Sequence, residues 1–256
     1  MENQMSIAQS VSPNAVTVPE PRCLDDFALQ PNSKFKLESI LDLTLPFPAN
    51  GVCGIILYGL YGTGKTTLAK LLPGLIDFAK SDPAAITQQP GQMISSEDTY
   101  FDHHPCAQGQ NGAQLTQAIN SRTNFVSLNA SRYHFVIMDE VDNLTDAAQA
   151  GFKAIMNKPN VVFIMTTNNL DQIDHGIQNR SVLIDMNLPP AIQWRPILRR
   201  IYINANLTPP PDAALDQVVI AGRGSARSIF TDVVMGANQA KRAGQVSVSK
   251  ISNLRS

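Results

Sequence analysis

The segment Gly59-Leu60-Tyr61-Gly62-Thr63-Gly64-Lys65-Thr66 follows directly on the apolar run Gly54-Ile55-Ile56-Leu57-Tyr58. A G-x-x-x-x-G-K-[ST] pattern carries its chemistry only where a buried strand feeds a tight loop and the loop opens a helix. The helix is readable here as Thr66-Thr67-Leu68-Ala69-Lys70-Leu71-Leu72. The three glycines let the backbone turn sharply and aim its N–H groups inward at phosphate oxygens. The helix N-terminus adds its positive dipole end, Lys65 adds a full charge, and Thr66 offers a hydroxyl to Mg²⁺. Gly59, Tyr61, Gly62, Thr63, Gly64, Lys65, Thr66 and Thr67 are therefore the candidate contacts of a nucleoside triphosphate.

The remaining pattern agrees with a sheet built around that loop. A helix is expected over 33–43 and a strand over 52–58. Residues 81–110 are rich in Pro, Gln, Ser, Asp and Gly and read as loop, with a helix near 114–124. The apolar runs Tyr133–Met138 and Val161–Met165 have strand length, and a further strand is expected over 181–186. Between the first two of these, Thr145 is placed to cap a helix running to about Met156, with Ala148, Phe152, Ile155 and Met156 on one face. Strands alternating with helices predict an α/β fold, a parallel sheet flanked by helices. After Pro189-Pro190 the pattern becomes helical over 192–205, 212–221 and about 225–240. The expected organisation is a disordered tail (1–20), a nucleotide-binding core (21–188), a small all-helical lid (189–243) and a C-terminal tail (244–256).

The chain has 256 residues, 43% apolar and 16% charged, which fits a folded protein with a sizeable core. The polar N-terminus lacks the basic start and apolar centre of a signal peptide, and no apolar stretch is long enough to span a membrane. Cys23, Cys53 and Cys106 form no close pair and no metal-ligand spacing, so a reduced, cytoplasmic protein is expected. Charge is uneven: residues 1–190 hold 11 Lys and Arg against 18 Asp and Glu, and residues 191–256 hold 9 against 3. The basic C-terminal part suits nucleic acid, an acidic partner or a nucleotide, and its sign alone does not choose among them.

Asp139 and Glu140 end the apolar run 133–138, where an open α/β sheet places its ligands. Asp139 is suited to hold Mg²⁺ together with Thr66, and Glu140 to polarise an attacking water. Asn168 ends the next strand, beside the same phosphate. Arg180 precedes the last strand. Arg227 opens a helix, where a cation opposes the dipole and implies an anionic partner. Asp102-His103-His104 with Cys106 reads as a polar loop and not a metal site. Lys153 and Lys158 suit a solvated helix face or a DNA backbone, and Trp194 suits the core.

This order of phosphate loop, Asp-Glu, strand-end Asn, Arg before a strand and Gly-x-x-Arg in a helical lid resembles the AAA+ ATPases, over about residues 21–240. It is most similar to the small motor subunits of sliding-clamp loaders. Pro21–Phe27 resembles that family's lead-in near the adenine pocket, and 139–152 its segment joining the Walker B strand to a DNA-facing helix. The resemblance implies ATP and Mg²⁺ as cofactors, with Lys65 and Thr66 on the β- and γ-phosphates and the metal. Asp139 would support the metal and Glu140 would activate water. Asn168 and Arg227 would be the first and second sensors. Arg180 would be an arginine finger acting in a neighbour's site. It also implies a homo- or hetero-oligomer that works on DNA or a DNA-replication protein, away from membranes. An alternative is an ATP-dependent switch, such as a helicase loader or transposition regulator that polymerises on DNA with little turnover. Two departures stand out. Arg180 lies in Asn179-Arg180-Ser181, where the family has Ser-Arg-Cys. Only 244–256 follow the expected last lid helix, too few for the helical collar of clamp loaders.

Overall fold

A computed structural model describes residues 15–81, 83, 89–106 and 112–252, with the side chains of 244–252 outside the description. Five parallel strands form one sheet: β1 (Gly54–Tyr58), β2 (Phe101–Pro105), β3 (His134–Asp139), β4 (Val161–Thr167) and β5 (Ser181–Asp185). Their order is β2-β3-β4-β1-β5, so the phosphate-loop strand lies inside the sheet between β4 and β5. β4 is buried along its whole length, which its unbroken Val161–Met165 run requires of a strand covered on both faces.

Alternate residues of the strands feed two cores. Ile55, Leu57, Phe135, Ile137 and Ile164 pack under α1 (Pro31–Leu41) and α2 (Lys65–Ser81). Ile56, Val136, Met138, Phe163 and Met165 pack under α3 (Gly112–Thr123), α4 (Asp146–Ile155) and the short α5 (His175–Gln178). In the second core Phe152 and Phe163 meet edge to face with ring centres 5.1 Å apart. Thr145 caps α4 as expected, its hydroxyl accepting from the Ala148 N–H at 3.3 Å. A third core joins α6 (Ala191–Asn204), α7 (Asp212–Ala221) and α8 (Ala226–Ser252) through Trp194, Leu198, Leu215 and Ile229. These C-terminal helices have the arrangement of a helical lid.

Three expectations need correction. The polar segment 81–110 reads as loop, but it contains β2, which pairs with β3 from Phe101↔Phe135 to Pro105↔Asp139. Phe-Asp-His-His-Pro has no strand pattern of its own. It is extended because an edge position supplies hydrogen bonds from one side only and tolerates a proline at the strand end. Asp102, His103 and His104 therefore sit on a strand. The last helix is expected to stop near 240, yet α8 runs to Ser252, through a Gly-Gln-Val-Ser-Val-Ser stretch of low helix propensity. Finally, the expected tail 1–20 lies outside the described residues up to 14, but Val16 is buried in the lid core. Its N–H donates to Asn238 Oδ1 on α8 at 3.0 Å.

Candidate functional site

β1 ends at Tyr58 and α2 begins at Lys65. Gly59, Gly62 and Gly64, with φ of 150°, 77° and 93°, turn the intervening loop through conformations that residues with a Cβ rarely adopt. The loop forms the floor of a cleft of about 430 Å³ lined by residues 61–67, Glu140, Thr166, Asn168, Ala226, Arg227 and Phe230. The fold thus brings together Tyr61, Gly62, Thr63, Gly64, Lys65, Thr66, Thr67, Glu140, Asn168 and Arg227. Gly59 joins them through its carbonyl, and Asp139 through Thr66.

Lys65 is 7% exposed, and its ammonium donates to the carbonyls of Gly59 and Leu60, both at 2.7 Å. Burial pushes its pKa below the ordinary lysine value, although Asp142, Asp139 and Glu140 pull it upward. A buried cation whose direct partners are two neutral carbonyls, at the start of a helix, fits a polyanionic ligand. The Thr66 hydroxyl donates to Asp139, 2.9 Å from Oδ1 and 3.1 Å from Oδ2. Among the described residues no group of three His, Cys, Asp or Glu is arranged to hold a metal alone. Asp139 and Thr66 fit a Mg²⁺ ion whose other ligands are phosphate oxygens and waters.

Thr166 organises the acidic pair. Its hydroxyl accepts the Glu140 N–H at 2.9 Å and donates to Asp139 Oδ1 at 2.5 Å. Glu140 itself is left-handed, with φ 60° and ψ 53°, a conformation uncommon for a residue with a Cβ. Asn143 Nδ2 donates to Glu140 Oε2 at 3.3 Å. Asp142, which the sequence presents only as part of an acidic loop, has a buried Oδ1 without a hydrogen-bond partner among the described residues. Thr166, Asn143 and Phe230 escape a reading of the sequence. Thr166 leaves a trace there as the first polar residue after a buried run; the other two carry no motif.

A smaller cavity adjoins the cleft, between Phe27 and Ala28 of the lead-in, the phosphate loop at Thr63, and Trp194 and Phe230 of the lid helices. Trp194 is buried, as expected, and meets Phe230 edge-on at 5.7 Å. Asp26 fixes the lead-in by pairing with Arg200 of α6 at 2.5 Å and accepting the N–H groups of Arg22 and Cys23.

Arg180 does not join the cleft. Its carbonyl accepts from Cys53 and Gly54 at the start of β1, whereas the phosphate loop follows the end of that strand. Four to five residues of strand separate them, roughly 15 Å at 3.3 Å per residue. Its Nη1 donates to the Gly176 carbonyl at 2.9 Å and its Nε to Asn157 Oδ1 at 3.4 Å. Lys153 pairs with Asp174, and Lys158 donates to Asn120, Thr123 and Asn124, so both are engaged within the fold. Arg195 and Arg199 pair with Asp216 and Asp212, two acids of the same C-terminal part, and Arg200 pairs with Asp26 of the lead-in, so of these three pairs it is Arg200–Asp26 that offsets the basic excess beyond 190.

Residues 55–187, just over half of the chain, match the family described as "ATPase family associated with various cellular activities (AAA)". The chain belongs to this family. Among curated proteins, the AAA member is similar to replication factor C small subunit 2 of Pyrobaculum arsenaticum, 25% identical over 198 residues. That match covers 77% of this chain and 56% of the relative, so the chain spans just over half the relative's length. Among solved structures, it is similar to the Thermotoga maritima RuvB Holliday junction branch migration motor, with a TM-score of 0.57 and 17% identity. The match covers 86% of this chain and 72% of that one. A mutant form of the same RuvB superposes with a TM-score of 0.58, again at 17% identity, over 86% of this chain and 72% of that one. These likenesses establish the AAA fold. AAA membership brings nucleotide binding and ATPase chemistry in general terms. Among the described residues no helix is long and apolar enough to cross a membrane.

Proposed function

We propose that this AAA protein hydrolyses ATP between subunits of an oligomer. The cycle would serve to load or remodel a partner in DNA replication or repair, in the manner of a clamp-loader motor subunit in the cytoplasm. One observation carries the reading. The cleft gathers the phosphate loop, Glu140, Asn168 and Arg227, with Asp139 bonded to Thr66 beside it, while Arg180 stands at the other end of the strands. A cation placed there serves a phosphate only if that phosphate belongs to a neighbour. The DNA-directed part of the proposal rests on the likeness to the replication factor C small subunit.

In this reading the loop N–H groups and Lys65 hold the β- and γ-phosphates. Thr66 and Asp139 would hold Mg²⁺, which when bound neutralises charge on the phosphate oxygens. Glu140 polarises the attacking water and accepts its proton. Asn168 orients that water against the γ-phosphate, and Arg227 reaches the phosphates from the lid. The neighbour's Arg180 stabilises the charge that develops on the transferred group, so turnover depends on assembly.

Glu140→Gln tests the base. It should bind ATP with wild-type affinity, accumulate as an assembled complex and lose at least about a hundredfold in kcat, at the lower end of what general-base catalysis supplies. Turnover at the wild-type rate in E140Q rejects the assignment. Measuring the wild-type rate with and without DNA then separates the two functional classes. Stimulation by DNA supports a loader, whereas polymers on DNA with negligible turnover favour the switch.

A further inference from the structure

The start of the phosphate loop is tied to the hinge of the lid by one side chain that no motif includes. Asn187 follows β5, immediately before Leu188-Pro189-Pro190. Its Oδ1 accepts the N–H of Leu60, the second residue of the phosphate loop, at 2.8 Å. Its Nδ2 and its own N–H both donate to Asp185 Oδ1, at 2.9 and 2.8 Å. Its carbonyl, and that of Leu188, accept from Gln30 Nε2 at 2.9 and 2.8 Å. Three parts of the molecule (loop, last strand and lead-in) therefore meet on one residue.

The hinge continues this connection into the lid. Leu188 has a φ of 34°, outside the ordinary range for a branched side chain, so its conformation is held by its surroundings. A Cβ on Gly224 would lie 2.5 Å from Leu188 Cδ2, which places the start of α8 directly against the hinge. From there Arg227 N–H returns to the phosphate loop at the Gly62 carbonyl, 3.2 Å away. The path from Leu60 through Asn187, Leu188, Gly224 and Arg227 to Gly62 is closed.

We infer that Asn187 is a positioning residue that couples occupancy of the phosphate loop to the angle of the lid. The inference rests on reading the cleft as the nucleotide site. The physical argument is that a loop and a hinge sharing a satisfied hydrogen-bond network cannot rearrange independently without leaving a polar group unpaired. A phosphate that draws the loop N–H groups inward shifts Leu60, and the shift reaches Leu188 through one rigid, planar amide. Without that amide, the loop still holds phosphate but the hinge loses its information.

Three forms of the full-length protein test this: wild type, Asn187→Ala and the exchange Asp185→Asn with Asn187→Asp. The exchange keeps an acceptor for Leu60 N–H and a donor–acceptor pair between 185 and 187, with no change in net charge. Hydrogen–deuterium exchange with and without ATPγS reports on α2 and on the hinge segment 186–192 separately. In wild type the nucleotide should slow exchange in both. In N187A protection should persist in α2, hinge protection should fall at least about fivefold, and ATPγS affinity should weaken about fivefold, the loss of one hydrogen bond. D185N/N187D should restore hinge protection. Hinge protection lowered equally with and without nucleotide in N187A is the mark of a purely structural role and overturns the inference. N187A keeping wild-type nucleotide-dependent hinge protection also overturns it, while leaving the nucleotide site intact. Absence of any nucleotide-dependent protection in wild type overturns the nucleotide reading, and this inference with it.

Discussion

At the residue scale, the site depends on a few polar groups whose orientation is fixed by neighbours outside any motif. Asp139 is held from two sides, by Thr66 of α2 and by Thr166 of β4. The same Thr166 hydroxyl supports Glu140 through its backbone N–H. Thr166→Val keeps the shape of this buried position and removes both bonds. We expect T166V to fold, with a loss of about 1–3 kcal/mol in urea unfolding. Its kcat should fall about 10–100-fold, as when an outer-shell partner of a metal ligand is lost. Wild-type turnover in T166V would show that Thr66 alone suffices to orient Asp139. The residues forming the cleft floor are legible in the sequence because each belongs to a short segment of fixed spacing. Asn143, Phe230 and Asn187 are not: Asn143 lies three residues from Glu140 but in no motif and also donates to the Cys106 carbonyl, and the contacts of Phe230 and Asn187 lie on other segments that only folding brings together.

At the scale of elements, the sheet and its helices follow from local pattern wherever a segment is buried on a continuous face. The runs 133–138 and 161–165 and the capped α4 need nothing beyond their own residues. β2 is invisible for the opposite reason: its extended form comes from pairing with β3 and not from its composition. The lead-in is another element whose structure is supplied from outside. The Asp26 carboxylate is pushed up by burial, but the N–H groups of Arg22 and Cys23 and the Arg200 guanidinium outweigh this and hold its pKa below the usual carboxylate value. A depressed folded value means stabilisation that is present above the unfolded pKa and is lost as pH falls through the folded one. Asp26→Asn should therefore cost about 1 kcal/mol at neutral pH. The difference from wild type should shrink as pH falls below about 4, the unfolded carboxylate value. A pH-independent difference in urea midpoints would assign the effect to packing.

At the scale of the whole molecule, core and lid share one cleft, and they are joined by the lead-in and by the hinge. Val16 on α8, Asp26 on α6 and Gln30 on the hinge make the N-terminal segment a strap across both parts. The charge asymmetry along the chain suggests a basic face on the lid. Folding pairs Arg195 and Arg199 with carboxylates of the lid itself, and the Arg200–Asp26 pair brings one acid of the core region onto the lid, so it reduces the asymmetry by one charge on each side. What remains most informative at this scale is the distance between Arg180 and the cleft of its own subunit. That separation is the ground on which hydrolysis in trans is proposed. Hydrolysis in trans is tested most directly by mixing Glu140→Gln, which keeps its finger, with Arg180→Ala, which keeps its base. Each variant alone should be inactive. In a head-to-tail assembly of equal parts, about a quarter of the interfaces pair an intact Glu140 with an intact Arg180. Steady-state ATPase should then recover to about a quarter of the wild-type rate. No recovery on mixing, or wild-type turnover by R180A alone, would contradict the account.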